Sequence, residues 1–407
     1  MKRRGNDLLA KRIFLEWDKE YREVDYPSQA KELLESFRQS FKPKYSIGVI
    51  LPLSGAHQTF GERALQGIQL ALKEMDAHEK NFPVSLVTRD SKGDPLEAEK
   101  AVEELATKEK VIAIIGPLLT ITVDKAVKKA QQLKVPLLTL SQKEPLYGKG
   151  DFIFQNSLTP SDQIQTLVTY AIKELELRTF AVFYPNSPYG IYFKNLFTQE
   201  AIRRGGKVLG AVAYPEEQTD FSQEIKGFFK IKAIQKENSR HASEEFRVGL
   251  SVDSLFIPDT HDRVGLILSQ MAYFDVSGLT FLGTNAWNGP DLISIAGKSA
   301  EGAIFVDAFF KKASSPLVAR FVEEFQKAYQ REPETLEALS YDGAKLLLEI
   351  IRSKGISSLI QMKDELRKIQ NFQGVSGLKG FGEDGKTIRT LSILKVKKGQ
   401  IEQVYPP

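Results

Sequence analysis

The sequence predicts an α/β protein made of two doubly wound, parallel-sheet blocks that follow a short helical segment. Short apolar, β-branched runs alternate with stretches of helical period from Tyr45 onward, as in strands joined through crossover helices. The alternation restarts at Thr159-Pro160, so a second block follows the first. A chain of 407 residues also exceeds one core of ordinary size, which makes two the expected number.

Taken in order, residues 6–42 read as two amphipathic helices separated by Pro27. Leu8, Leu9, Ile13, Leu15 and Trp17 fit the first, and Ala30, Leu33, Leu34 and Phe37 the second. Such a pair buries little by itself, so it packs on the main body or ends a helical-repeat region. Ile47, Val49, Ile50 and Leu51 then read as a buried parallel strand, stopped by Pro52, Ser54 and Gly55. A helix follows from Gly61, with Ala64, Leu65, Ile68, Ala71, Leu72 and Met75 on one face. In open α/β sheets the turn after such a strand borders the ligand crevice. Further strands are expected at Val84–Val87, Val111–Ile115, Val135–Leu138 and Phe152–Phe154, with a helix capped by Asp94-Pro95 and another carrying Val123, Val127 and Ala130.

The second block has expected strands at Thr179–Tyr184, Lys207–Ala213, Ser254–Ile257, Thr280–Leu282 and Ala303–Val306. Helices are expected near Tyr189–Arg203, Phe221–Lys232 and Val264–Phe274, and the polar stretch Lys236–Arg247 reads as an exposed loop or helix end. Helices over Pro316–Tyr329, Leu339–Ser353 and Leu359–Ile369 come next. From Phe372 to Val404, Gly-rich turns and alternating apolar residues indicate antiparallel hairpins. Gly380-Phe-Gly-Glu-Asp-Gly-Lys-Thr387 matches a phosphate-loop spacing, but a strand pattern follows it where a phosphate loop needs a helix, so it reads as a hairpin turn at Asp384-Gly385.

Composition narrows the function. Apolar residues at 42% and charged residues at 27% are those of a globular protein. A net charge of +4 is spread over both signs, with no basic block that would meet nucleic acid. The chain has no cysteine, which removes disulfides, thiolate metal sites and thiol catalysis. No apolar run reaches the ~18 residues of a membrane span. Met1-Lys-Arg-Arg is not followed by the apolar stretch of an export signal, so the expectation is a cytoplasmic chain or one whose signal lay upstream. The histidines His57, His78, His241 and His261 lie at no metal-ligand spacing, although His57 and His261 fall in loops just after strands. Asp259, Asp262 and Asp307 near strand ends offer carboxylates for catalysis, with loop caps and hinge contacts the favoured reading. No constellation points to an enzyme, a cofactor or a metal.

Several stretches, in order and at consistent spacing, resemble one family. They are Ile47–Gly55, Val111–Pro117, Val135–Leu138, Ser187–Gly190, Ser299–Gly302, Tyr341–Ala344 and Phe372–Lys386. Together they resemble the Leu/Ile/Val-binding family of type I periplasmic binding proteins. The resemblance implies two doubly wound lobes joined by three crossing strands, with a ligand gripped between them. The crossings would fall near Asn156, Asp307 and Gly385. Residues 1–42 would be the helical segment, 43–156 with 308–385 the first lobe, and 157–307 with 386–407 the second.

By the same resemblance, Ser54, Gly55 and Phe60 line the first lobe, and Thr120 stands beside the position that holds an amino acid's carboxylate. Thr139, Ser141 and Gln142 match a second carboxylate-binding loop; Tyr189 matches the aromatic that closes from the second lobe, and Tyr341 one near the ligand's side chain. Where relatives place a carboxylate for the ligand's ammonium, this chain reads Gly283-Thr-Asn-Ala-Trp-Asn288, leaving Asn285, Asp259 or the face of Trp287 as substitutes. The implied protein is a non-enzymatic, periplasmic binder of an amino acid or analogue that serves a membrane transporter, with or without a lipid anchor. An alternative comes from Tyr26-Pro27, Ala30–Leu34 and Trp287-Asn288. They resemble the penicillin-binding protein activators, lipoproteins whose partner is a peptidoglycan synthase.

Overall fold

The computed structural model describes residues 44–406 except 80, 81, 147 and 235–244, with Pro27 and Lys31 before them. Apart from those two residues, the helix pair expected over 6–42 lies outside the described residues. Five strands build the first sheet: β1 (Tyr45–Leu51), β2 (Val84–Asp90), β3 (Ala113–Ile115), β4 (Leu137–Thr139) and β5 (Ile153–Gln155). All are parallel, in the order β2-β1-β3-β4-β5. The next strands are β6 (Thr179–Pro185), β7 (Lys207–Tyr214), β8 (Lys232–Ile234), β9 (Glu245–Arg247), β10 (Ser254–Phe256), β11 (Thr280–Gly283) and β12 (Ile304–Asp307). Of these, β7-β6-β10-β11-β12 form a parallel set with the same order as the first sheet.

Both sheets therefore reverse direction of winding after their second strand. The switch points are β1/β3 and β6/β10, where open α/β sheets hold their ligands. Apolar cores cover both faces of each sheet, as strands without polar alternation require.

Local chemistry explains where the helices start. The Asp94 carboxylate accepts from the Leu96 and Glu97 amides at 2.7 and 2.9 Å, with Pro95 in the first turn. Thr159 caps the helix Pro160–Lys173, and Ser187 caps Pro188–Arg203, in the same way. The two lobes also share a close approach. A Cβ on Gly61 would stand 1.9 Å from the Pro52 carbonyl oxygen, and one on Gly190 would stand 2.1 Å from that of Pro185. In each lobe the helix after the first strand folds back on the proline at that strand's end, and only glycine fits.

After β12 the chain returns to the first lobe. Helices Pro316–Tyr329, Thr335–Lys354 and Leu359–Lys368 and the ribbon β13 (Leu378–Phe381) to β14 (Thr387–Arg389) pack there. Gly385, at φ +80, lies in the turn of this ribbon, so the phosphate-loop spacing forms a hairpin. The chain then adds β15 (Ser392–Lys397) and β16 (Gln400–Tyr405), antiparallel, to the second sheet. It passes between lobes at 156–159, 308–315 and 390–391. The last passage follows Gly385 by a few residues because β14 still pairs with β13. Part of the polar stretch Lys236–Arg247 is strand rather than loop: β9 pairs with β8, and Phe246 packs on Tyr273 and Phe274 at 5.9 and 5.2 Å.

Candidate functional site

A cavity of about 1330 Å³ opens between the C-terminal edges of the two sheets. That exceeds the ~300–1,000 Å³ of an ordinary small-molecule site, as an open cleft should. The turn after β1 contributes His57 and the first turn of the helix Gln58–His78 contributes Phe60, and the loop after β3 contributes Leu118, Leu119, Thr120 and Ile121. Leu140 and Gln142 come from the loop after β4, and Ser157 and Leu158 from the first passage. The second lobe adds His261 after β10 and Asn285, Ala286 and Asn288 after β11. Asp307, Phe309, Leu336 and Leu339 complete the floor.

Four of the residues expected at the site stand on this wall: Phe60, Thr120, Gln142 and Asn285. Four others shape its loops. The Ser54 hydroxyl donates to Asp90 Oδ2 at 2.6 Å, and Gly55 turns the chain at φ +76. The Thr139 hydroxyl donates to the Pro117 carbonyl at 3.1 Å, and the buried Ser141 hydroxyl accepts from the Lys143 amide at 3.3 Å. Tyr189 stands in the first turn of helix Pro188–Arg203, outside the cavity wall. Its ring rests on Phe193, and its hydroxyl bonds that of Thr284 at 3.2 Å. Burial of this hydroxyl pushes it up to about 12.

Trp287 and Tyr341 do not face the cleft, which corrects both expectations. Trp287 is fully buried: its indole N–H donates to the Ile257 carbonyl at 3.0 Å and its ring lies 6.1 Å from Phe305. A large apolar ring gains more in the second-lobe core than at a wet wall. Tyr341, 1% exposed, packs on Phe321 at 4.6 Å and donates to Glu74 Oε2 at 2.7 Å. Asp259 is also committed elsewhere, accepting from the Tyr214 hydroxyl at 2.7 Å and Arg263 Nε at 2.9 Å.

The sequence reading missed Ser157, Leu158, Leu336 and Leu339 as wall residues. Ser157 had a signal, since it follows the expected crossing at Asn156. Its hydroxyl is buried and has no partner among the described residues. A buried hydroxyl without a partner at a cleft wall calls for a water or a ligand group to satisfy it. The side chains of Thr120, Gln142 and Asn285 also make no hydrogen bond among the described residues.

Most charge around the cleft is paired. Arg63 reaches Glu337 at 2.7 and 2.9 Å and Glu334 at 2.7 Å, while Arg331 reaches Glu337 at 2.6 Å. Burial alone would raise the Glu337 carboxyl, but Arg63 and Arg331 hold it below its ordinary value. Asp307, buried where β12 ends, accepts from Asn288 Nδ2, the Thr335 hydroxyl and the Ala308 amide at 2.9, 2.8 and 2.7 Å. Desolvation nevertheless pushes its carboxyl up to about 6.

A model of the family described as periplasmic binding protein matches residues 44–400. Among solved structures, a leucine-binding protein, LivK, from Thermotoga maritima is 27% identical, with a TM-score of 0.63. The match covers 88% of this chain and 97% of that one. A solute-binding protein of an ABC transporter from Rhodopseudomonas palustris, in complex with 3,4-dihydroxybenzoic acid, has a TM-score of 0.66 at 18% identity, covering 88% and 95%. Glutamate receptor 2.9 of Arabidopsis thaliana is 28% identical over 156 residues, 37% of this chain but 16% of the receptor. The matched segments span about a fifth or less of the curated relatives.

Proposed function

The chain belongs to the periplasmic binding proteins, with the type I fold of the Leu/Ile/Val-binding members, and from that premise we propose that it captures a small amphipathic solute reversibly and without chemistry. The solute is an amino acid or another small organic acid, and it is delivered outside the cytoplasmic membrane to an ABC-type transporter or a sensing partner. One observation carries this reading: four uncommitted polar side chains, Thr120, Gln142, Ser157 and Asn285, share one apolar cleft at the switch points of both sheets. Thr120, Gln142 and Ser157 bind from the first lobe and its passage, and Asn285 binds from the second. A solute that touches both lobes stabilises the closed form over the open one by its contacts on the second wall. Ser54, Gly55, Thr139 and Ser141 act by holding the loops, and Tyr189 closes from the lip.

Thermal shift against a panel of amino acids and aromatic and aliphatic carboxylates tests it. A solute that binds only the folded protein raises its melting temperature in proportion to saturation. The shift should vanish in Phe60→Ala, an exposed position whose truncation spares the core. Silence from every solute would refute capture and favour regulation of a peptidoglycan synthase.

A further inference from the structure

We propose that the cleft selects an organic acid without an ammonium group, its carboxylate held by neutral donors and its body lying on the apolar wall. The inference rests on the capture reading and narrows its ligand class.

The wall's carboxylates are the starting point. Among the described residues lining the cavity they are Asp307, Glu332 and Glu334. Asp307 is 1% exposed and its two oxygens already take three hydrogen bonds, so an ammonium would reach it only by displacing Asn288 or Thr335 from it. Glu332 is paired with Lys311, and Glu334 with Arg63. The second-lobe loop Thr284–Asn288 is uncharged, with Trp287 turned into the core and the Asn288 amide donating to Asp307. A ligand ammonium enclosed here would shed its hydration against neutral groups, a cost that no counter-ion offsets.

A carboxylate meets the opposite situation. The hydroxyls of Thr120 and Ser157 and the amide of Gln142 on the first-lobe side, and the amide of Asn285 on the second, line the same cavity with no hydrogen bond among the described residues. Lys312, also on the wall, makes no ion pair among the described residues, so the one uncommitted charge there is positive. Phe60, Leu118, Leu140, Leu158 and Leu339 supply an apolar bed for a ring or branched chain.

The test is titration calorimetry with pairs that differ only in the amino group: L-leucine against 4-methylpentanoate, and L-phenylalanine against 3-phenylpropanoate. The deaminated member of a pair should bind at least about tenfold more tightly. Asn285→Asp, a nearly isosteric change on the wall, should narrow or reverse that preference. Equal or tighter binding of the amino acids would overturn the inference and leave capture standing. Heat from neither member, with silence in the wider panel, would overturn both.

Discussion

Replacing Asp307 by Asn should flatten part of the protein's pH dependence of stability. Asp307 closes β12 and is buried, and desolvation lifts its carboxyl from 3.8 to about 6. The folded state therefore holds this proton where the unfolded chain has lost it, and stability falls as pH rises through that window. A gap of about two units at ~1.4 kcal/mol each makes the full penalty about 3 kcal/mol once both states are ionised. About half of it has accumulated by pH ~5, so the wild type should lose roughly 1.5 kcal/mol relative to Asp307→Asn between pH ~5 and ~8. Asparagine keeps an oxygen for the Ala308 amide and the Thr335 hydroxyl, while its Nδ2 replaces the oxygen that accepts from Asn288, whose amide must turn its own oxygen inward; that cost is the same at every pH. Urea unfolding of both proteins across this range gives the difference curve, in which other titrating groups cancel. Parallel stability profiles would refute the assignment of the burial shift to Asp307.

Two further substitutions have calculable outcomes. Trp287→Ala should cost about 3–5 kcal/mol in urea unfolding, the scale of truncating a buried aromatic. Trp287→Glu should be at least as damaging and give no gain in amino-acid affinity by calorimetry, because the side chain would enter the core. Glu337→Ala leaves Arg63 and Arg331 facing each other and removes half of the capping box at Glu334. Both arginines are partly solvated, so the cost should be about 2–3 kcal/mol, below that of a fully buried broken pair. Denaturant melts check this, with Glu337→Gln expected to lose less.

The frame of the molecule was legible because its cues are local. Pro52 ends a strand, Asp94-Pro95 and Thr159-Pro160 start helices, and Pro316–Tyr329 has the same limits in sequence and structure. Each is decided by residues within one turn of the chain. The site was legible only in part. Phe60, Thr120, Gln142 and Asn285 follow strand ends, and that placement alone brings them to the wall. Trp287 also follows a strand end, but its direction is fixed by the Ile257 carbonyl, 30 residues earlier. Tyr341 is turned by Glu74, 267 residues away. Leu336 and Leu339 reach the cleft only because the chain returns to the first lobe after β12. Periodicity marks such residues as buried and cannot say against which wall. The strand Glu245–Arg247 was hidden for a related reason, since one apolar residue, Phe246, anchors it.

The cleft and the passage beneath it meet at the Asp307 carboxylate. Thr335, whose hydroxyl donates to Asp307, opens the helix that carries Leu336 and Leu339 to the first-lobe side of the cavity. Asn288, whose amide donates to the same carboxylate, ends the loop that carries Asn285 to the second-lobe side. Asp307 thus ties the two walls together where the chain crosses between lobes. A solute resting on Asn285 and Leu339 touches the far ends of two elements whose near ends meet at Asp307. Two further bonds reinforce the junction, Asn156 Nδ2 donating to the Leu339 carbonyl at 2.9 Å and Asn288 Nδ2 to the Phe309 carbonyl at 3.4 Å. Losing the Asp307 partners would leave a buried carboxylate short of donors, so the junction resists loosening more than the solvated walls above it.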